Sequence, residues 1–430
     1  MVKPLVDSPP QLKKEGAGRI LMTRHYELIT PLFGGGATTN VVDQANPVRG
    51  TAIRGHLRFW WRATCAGQFG KAGLADMKKA EDKIWGTAAK DPKPANLPRP
   101  VQLAIQIITP GSPIEPFTHQ PNKKGQLKPS ANEKSGVPAY AAFPLQRTDE
   151  EIKAKKNPYS VQQGITFTLT LNFPQEYRKD VETTLWAWET FGGIGARTRR
   201  GFGALYCTAI HENGRAMPMP TIACDAIAIK KNLKEQLQTI SGEWPEHVPH
   251  LSSTMFIEIT ATNGDALHAW DWIIGQLRAF RQSREGSEYG PTHWPEANAV
   301  RKAAGKPVSS KSPHIGTKFP RAQLGLPIIF HFPQERNFDD ATLTGLEKDR
   351  MASKLILRPL SCGQNKAVAL AAVLAGPTLP DGGIALDGRP VKATLSQPEA
   401  SKITPLNGEP TVIKAFFNFI RKNKLGGNLL

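Results

Sequence analysis

The stretch GITFTLTLNF, residues 164–173, constrains the fold more than any other part of the chain. Ile165, Phe167, Leu169, Leu171 and Phe173 alternate there with polar residues, the period-2 pattern of a strand with one buried and one wet face. Such a strand needs a sheet beside it and a second layer over its apolar side. The next residues supply that layer. In YRKDVETTLWAWETF, Val181, Leu185, Trp188 and Phe191 recur at i, i+4, i+7 and i+10, one stripe of an amphipathic helix that Gly192 and Gly193 end. RHYELITPLF (24–33), VQLAIQII (101–108) and GFGALYCTAI (201–210) read as further strands. A second helix is expected from Thr51, its N-cap, through Ile53, Leu57, Trp60 or Trp61 and Thr64 to Gly67. The resulting order, β-α-β-β-α-β, is the ferredoxin-like split βαβ arrangement, an antiparallel sheet with both helices on one face. Between its middle strands lies a Pro-, Gly- and Lys-rich segment much longer than a hairpin needs, which predicts an inserted excursion.

A chain of 430 residues exceeds one ordinary core. Residues 211–253 are polar and Pro-dotted, with one helix through Ile229, Leu233, Leu237 and Ile240, and a second unit is expected from STMFIEITAT (253–262) onward. Leu267, Trp270, Ile274, Leu277 and Phe280 line one face of a helix there. LGLPIIFHF, SKLILRPL and KAVALAAVLAG read as strands, and TVIKAFFNFIRKN (411–423) as a closing helix with no clear strand after it. The expected fold class is α+β: two tandem ferredoxin-like domains, 20–210 and 254–430, antiparallel sheets with helices on one face and long loop insertions, joined by a 211–253 linker region.

The formal net charge of +18 makes a polyanion, above all nucleic acid, the leading partner class. No run of about 18 apolar residues is present, and MVKPLVDSPPQLKKEG lacks the apolar centre of a signal peptide, so a soluble, cytoplasmic protein without membrane contact is expected. Cys65, Cys207, Cys224 and Cys362 show no CxxC or Cys/His spacing, which predicts reduced, mostly buried thiols and neither a disulfide framework nor a metal site. No cofactor and no small-molecule substrate is indicated.

Two constellations could hold phosphates. Arg54, Arg58 and Arg62 are spaced by four, so one helix face projects three guanidinium groups. Alone they would suit a solvated face. Directly after Gly34, Gly35, Gly36 and Arg49, they suggest an anion cradle of loop backbone, helix N-terminus and arginine. Phe59, Trp60 and Trp61 cannot all face the core, because neighbours on a helix are about 100° apart. Trp60 is therefore a candidate for base stacking, although most aromatics at helical spacing are core. The second constellation is GGIGARTRRGFG (192–203), with Gly193, Gly195, Arg197, Arg199 and Arg200 in the turn between helix and strand. It lacks the GK[ST] of a P-loop and follows a helix instead of a strand, which excludes a nucleotide-cofactor fingerprint. Glycines that permit close backbone approach beside arginines that seek an anion fit an RNA backbone.

This loop resembles the glycine-rich loop of the repeat-associated mysterious proteins, the RAMP superfamily of CRISPR systems. ITPLFGGGA, AIRGHLRFWWRAT, FGGIGARTRRGFGAL, FPRAQLGLPIIF and RMASKLILRP together are similar to the first subunits of type III-B (Cmr) effector complexes, which are tandem RAMP (RRM-like) proteins. The resemblance implies two RAMP domains, assembly with other RAMP subunits and a CRISPR RNA near the guide's 3′ end, capture of target RNA in antiviral defence, and cleavage by other subunits. The chain departs from that pattern in its long TTNVVDQANPVRG loop, in Lys354 where proline is usual, and in a second domain whose only glycine-rich stretch is the terminal LGGNLL.

Some RAMP proteins cut RNA, so an endoribonuclease is the alternative. Its candidate groups are Asp43 with a metal ion, or His25 or His56 as acid or base. The arginines flanking His56 are expected to lower its pKa and keep it neutral. The bland readings are a turn for Asp43 and surface or packing roles for the histidines. Finally, RKAAGKPVSSKSPHIGTKFPR (301–321) holds six basic residues and no acidic one, either a solvated loop or a backbone-contacting one.

Overall fold

The computed structural model describes residues 12–13, 16, 18–36, 38, 40–87, 100–121, 127–219, 224–262, 264–287, 290–332 and 338–425; the LGGNLL glycines lie outside them. Two compact units are present. The first comprises residues 1–253, 261–272 and 357–370, the second 254–260, 273–356 and 371–430.

In the first unit the alternating segment forms the strand Thr166–Pro174. It lies between Arg19–Leu28 and Gln102–Thr109, and Leu205–Glu212 follows on the far side of Arg19–Leu28, all neighbours antiparallel. Counted in chain order the four long strands run 2-3-1-4, extended at the edge by Arg215–Met217. That is the ferredoxin-like order.

Register then decides which face is dry. Ile20 opposes Phe173, Met22 opposes Leu171 and Tyr26 opposes Phe167, so the apolar members of both central strands point the same way. The helices Gly50–Cys65 and Arg178–Phe191 cover them, with the Trp60 and Phe191 rings 6.2 Å apart and Tyr26 and Trp188 5.5 Å apart. Trp61 and Trp188 are almost wholly buried, each contributing up to about 3 kcal/mol of apolar burial.

Several expectations shift. The first helix begins at Gly50 with Arg49 as N-cap, not Thr51, and no side chain caps it. A helix unread in the sequence, Leu74–Trp85, follows it and buries Met77, Glu81, Ile84 and Trp85. Residues 211–253 join the first unit's core instead of linking two units. Ile229, Leu233 and Leu237 of the helix Ala226–Gln238 are buried, the Trp244 indole donates to the Arg62 carbonyl at 2.9 Å, and Leu251 N–H donates to the Ala63 carbonyl at 2.9 Å.

The cysteines also depart from expectation. Cys224 and Cys362 form a disulfide across 138 residues, with Cα atoms 5.2 Å apart, a pairing made by topology and invisible in spacing. Cys65 and Cys207 are free thiols, and burial pushes both up to about 12.

In the later part of the chain Ile257–Ala261, Lys366–Val373 and Leu355–Gly363 form a three-stranded sheet in that order. The helices Ala266–Arg281 and Val412–Leu425 follow the first and last of these strands in sequence. This is a ferredoxin-like β-α-β-β-α sequence with no fourth strand among the described residues. LGLPIIFHF gives the strand Ile328–Phe330, which lies in a separate four-stranded sheet with Ala341–Gly345, Ile384–Leu386 and Arg389–Val391. Its core, in the second unit, gathers Ala299, Val300, Phe319, Leu343 and Leu386.

Candidate nucleic-acid interface

The two glycine-rich stretches, some 160 residues apart in sequence, lie side by side. Ala196 N–H donates to the Phe33 carbonyl at 2.8 Å, and Gly203 N–H to that of Pro31 at 2.9 Å. At the outer end of this contact Gly35 and Ala196 are exposed. Gly34 and Gly35 have φ of +60° and +92°, a conformation that favours glycine. Arg49, exposed at the start of the first helix, donates to the Gly35 carbonyl. Arg197 also sits in the left-handed region at φ +56° and opens the turn Thr198–Arg200.

Not every glycine serves that surface. A Cβ on Gly203 would lie 2.0 Å from the Ile194 carbonyl oxygen, one on Gly193 2.8 Å from that of Gly203, and one on Gly201 2.3 Å from the Trp270 indole nitrogen. These three are demanded by packing. Gly195 is shared: a Cβ there would strike the Phe33 carbonyl at 2.6 Å, so its smallness brings the two loops together.

The loop's base is fixed by Arg358, fully buried within SKLILRPL. Its guanidinium donates to the carbonyls of Glu189 at 2.8 Å, Gly192 at 2.6 Å and Leu205 at 3.0 Å on other segments, and to that of its neighbour Pro359 at 3.0 Å. Burial pushes it down to about 9, still charged at neutral pH. The Glu189 carboxylate meanwhile accepts from Arg24 at 2.8 Å and Tyr26 at 2.5 Å. Arg358 was missed in the sequence; its signal is one charged residue in an otherwise apolar strand.

The arginine row does not face open solvent. Arg54 donates to the carbonyls of Trp85 at 2.8 Å and Val101 at 3.2 Å. Arg58 binds Glu81 at 2.5 Å, Asp82 at 2.7 Å and the Gly86 carbonyl at 2.6 Å. Arg62 shares Glu81 at 2.6 Å. All three therefore clasp the helix Leu74–Trp85, satisfying its C-terminal carbonyls and acidic side chains. Trp60, the stacking candidate, is 4% exposed. The rim position belongs to Phe59, whose ring lies 5.4 Å from the Arg199 guanidinium carbon, and burial lowers the Arg199 pKa. Arg200 donates to the Arg199 carbonyl at 3.1 Å.

The three candidate catalysts are scattered. Asp43 accepts from the N–H groups of Ala45 at 3.2 Å and Asn46 at 3.0 Å, an Asx turn. His25 lies on the polar sheet face, 5.3 Å from the His211 ring, and its pKa is lowered by desolvation and by His211. His56 is pushed down to about 4 by burial, not by the flanking arginines as expected. No cluster of three or more His, Cys, Asp or Glu suited to a metal ion occurs among the described residues. The His56 shift has a measurable sign. A base with its pKa depressed on folding supports the native state above its unfolded value near 6.5 and opposes it as pH falls toward 4. His56→Gln is expected to flatten the loss of thermal stability between pH 6.5 and 4, read by melting at each pH; an unchanged profile would refute that coupling.

A ferredoxin-like sheet with a glycine-rich turn after its second helix, packed against the loop after its first strand, defines a class. Residues 25–206, a little under half of the chain, match the RAMP superfamily model. Among particular proteins, the CRISPR system Cmr subunit Cmr1-2 of Pyrococcus furiosus is 26% identical over 193 residues, 43% of this chain and 94% of the relative. The crystal structure of apo Cmr1 from the same organism aligns at 17% identity over 89% of this chain and 96% of its own, with TM-score 0.45. A chain of the type III-B Cmr-beta complex bound to cognate target RNA and AMPPnP, solved by cryo-EM, aligns at 11% identity over 94% of this chain and 99% of its own, with TM-score 0.50. No helix among the described residues is long and apolar enough to cross a membrane.

Proposed function

We propose that this chain is a non-catalytic, RNA-binding subunit of a cytoplasmic type III-B CRISPR ribonucleoprotein. In that assembly it works beside other RAMP subunits and holds CRISPR RNA, target RNA or both near the guide's 3′ end. The observation that carries this reading is the meeting of the loops 34–36 and 195–200 with Arg49 on an exposed edge, where backbone and guanidinium groups converge. The net charge of +18 and the relative's role as a Cmr subunit support it. Phosphates would sit on the Gly34–Gly36 and Gly195–Arg200 backbone, with Arg49 and Arg197 beside them.

One aromatic serves this edge better than Trp60. Phe143 is 62% exposed on the turn Phe143–Leu145, and Asn40, in the loop after Gly36, donates to the Pro144 carbonyl at 3.2 Å. A base could stack there. Nothing in the geometry of the described residues favours the endoribonuclease alternative: the Asp43 carboxylate is engaged in its own turn, and among the described residues neither histidine has an acid–base partner at hydrogen-bond distance beside the loops.

The test is RNA affinity against salt. Arg49→Ala with Arg197→Ala is expected to weaken binding of a single-stranded RNA and to flatten the slope of log K on log salt by about 1.4, roughly 0.7 per lost phosphate contact. Phe143→Ala should weaken binding at unchanged slope. A double arginine variant with the parent's affinity and slope would end the assignment.

A further inference from the structure

The basic segment 301–321 remains outside the interface just described. It is not a loose charge run. The helix Glu296–Ala303 ends in a Schellman turn, with Gly305 at φ +67° donating to Lys302 at 3.1 Å and Lys306 N–H to Arg301 at 2.8 Å. Beyond it the chain folds back over Asn298, which is 0% exposed. The Asn298 amide donates to the carbonyls of Ser309 at 2.8 Å, Ser312 at 3.0 Å and Pro313 at 3.2 Å, and its oxygen accepts from Ser309 N–H at 2.8 Å. One buried side chain thus fixes the path of the exposed segment.

At the far end Arg321 pairs with the buried Glu296 at 3.1 Å, and Lys318 with Glu399 at 2.5 Å. Arg301 lies 5.2 Å from the centre of the Phe332 ring. Those three cations hold the loop in place. The other three, Lys302, Lys306 and Lys311, are exposed and have no ion-pair partner among the described residues, and no Asp or Glu occurs from Ala297 to Gln334. Lys302 also offsets the negative end of its helix, but Lys306 and Lys311 lie past it, where that role does not reach.

We propose that this preformed lysine loop is a second RNA-backbone site, contacting phosphates of a single strand without reading its sequence. The Gly, Pro, Ser and Lys composition suits a polyanion better than an acidic protein surface, because protein interfaces take aromatic and apolar anchors at their centre and the loop's one exposed large apolar side chain is Val308. The inference rests on the RNA-binding reading above and adds a site to it.

The test uses the full chain, a fluorescein-labelled oligouridylate and anisotropy over a salt series. The triple variant Lys302→Gln, Lys306→Gln, Lys311→Gln, checked for an unchanged melting temperature, is expected to lower the salt slope by about 2, near 0.7 per lysine. Asn298→Ala should weaken binding while every charge is kept. If the triple variant binds with the parent's slope while the Arg49 and Arg197 variant loses affinity, the loop is not an RNA site and the first reading stands. If the parent chain shows no salt-dependent binding, both fall. Parental RNA binding by the triple variant with reduced co-purification of neighbouring subunits would overturn the inference in favour of a protein contact.

Discussion

Arg358→Met is expected to lower stability by about 4 kcal/mol, because three carbonyls outside its own strand lose their donor and each unsatisfied group costs about 1–3 kcal/mol. Those carbonyls belong to Glu189, Gly192 and Leu205. They flank the glycine loop on both sides, so the damage reaches the end of the second helix, the loop's first glycine and the strand that leaves it. Removing a buried charge returns part of the cost, which is why the figure is below the sum of three orphaned groups. Calorimetry should show a melting point lower by roughly 8 °C. Arg358→Lys should recover little, since an ammonium cannot reproduce the planar fork that meets carbonyls on separate segments. A shift under about 2 °C in Arg358→Met would mean that the carbonyls find water or new donors, and that the loop does not depend on this strand.

Arg358 also shows where sequence reading stops. The period-2 run at 164–173 and the stripe from Val181 to Phe191 state their own burial, and from them the ferredoxin-like order follows. A guanidinium that ties together carbonyls of three other segments has no period; only the incongruity of arginine in SKLILRPL marks it. The glycine motif was legible as a motif but not in its division of labour, because close approach to a ligand and close approach to Trp270 or Ile194 require the same missing Cβ. The disulfide and the separate four-stranded sheet depend on contacts far apart in sequence. Neither leaves a local trace.

The arginine row at 54, 58 and 62 was ambiguous for a different reason. Spacing by four says that three cations share a face, not what faces them. The complementary signal was present in KKAEDKIW, where Glu81 and Asp82 stand on the next helix along the chain, and pairing the two segments would have predicted the clasp.

That clasp separates two roles in one variant. Arg58 is 16% exposed at its side chain and Glu81 only 1%, so Arg58→Ala strands a buried carboxylate whose remaining partner among the described residues is Arg62. Breaking a buried pair costs about 3–5 kcal/mol, and the retained Arg62 places the expected loss near the lower end, about 3 kcal/mol. The RNA salt slope should be unchanged, because the guanidinium already has three acceptors and a phosphate would have to displace them. If Arg58 instead held a phosphate, the slope would fall by about 0.7 with little change in melting. Measuring both quantities on the same protein decides the matter. A double variant with Glu81→Ala adds the coupling, which should approach the single-variant loss if the pair acts as a unit. Stability loss at constant slope would make the arginine helix a brace behind the glycine edge and not itself a phosphate contact.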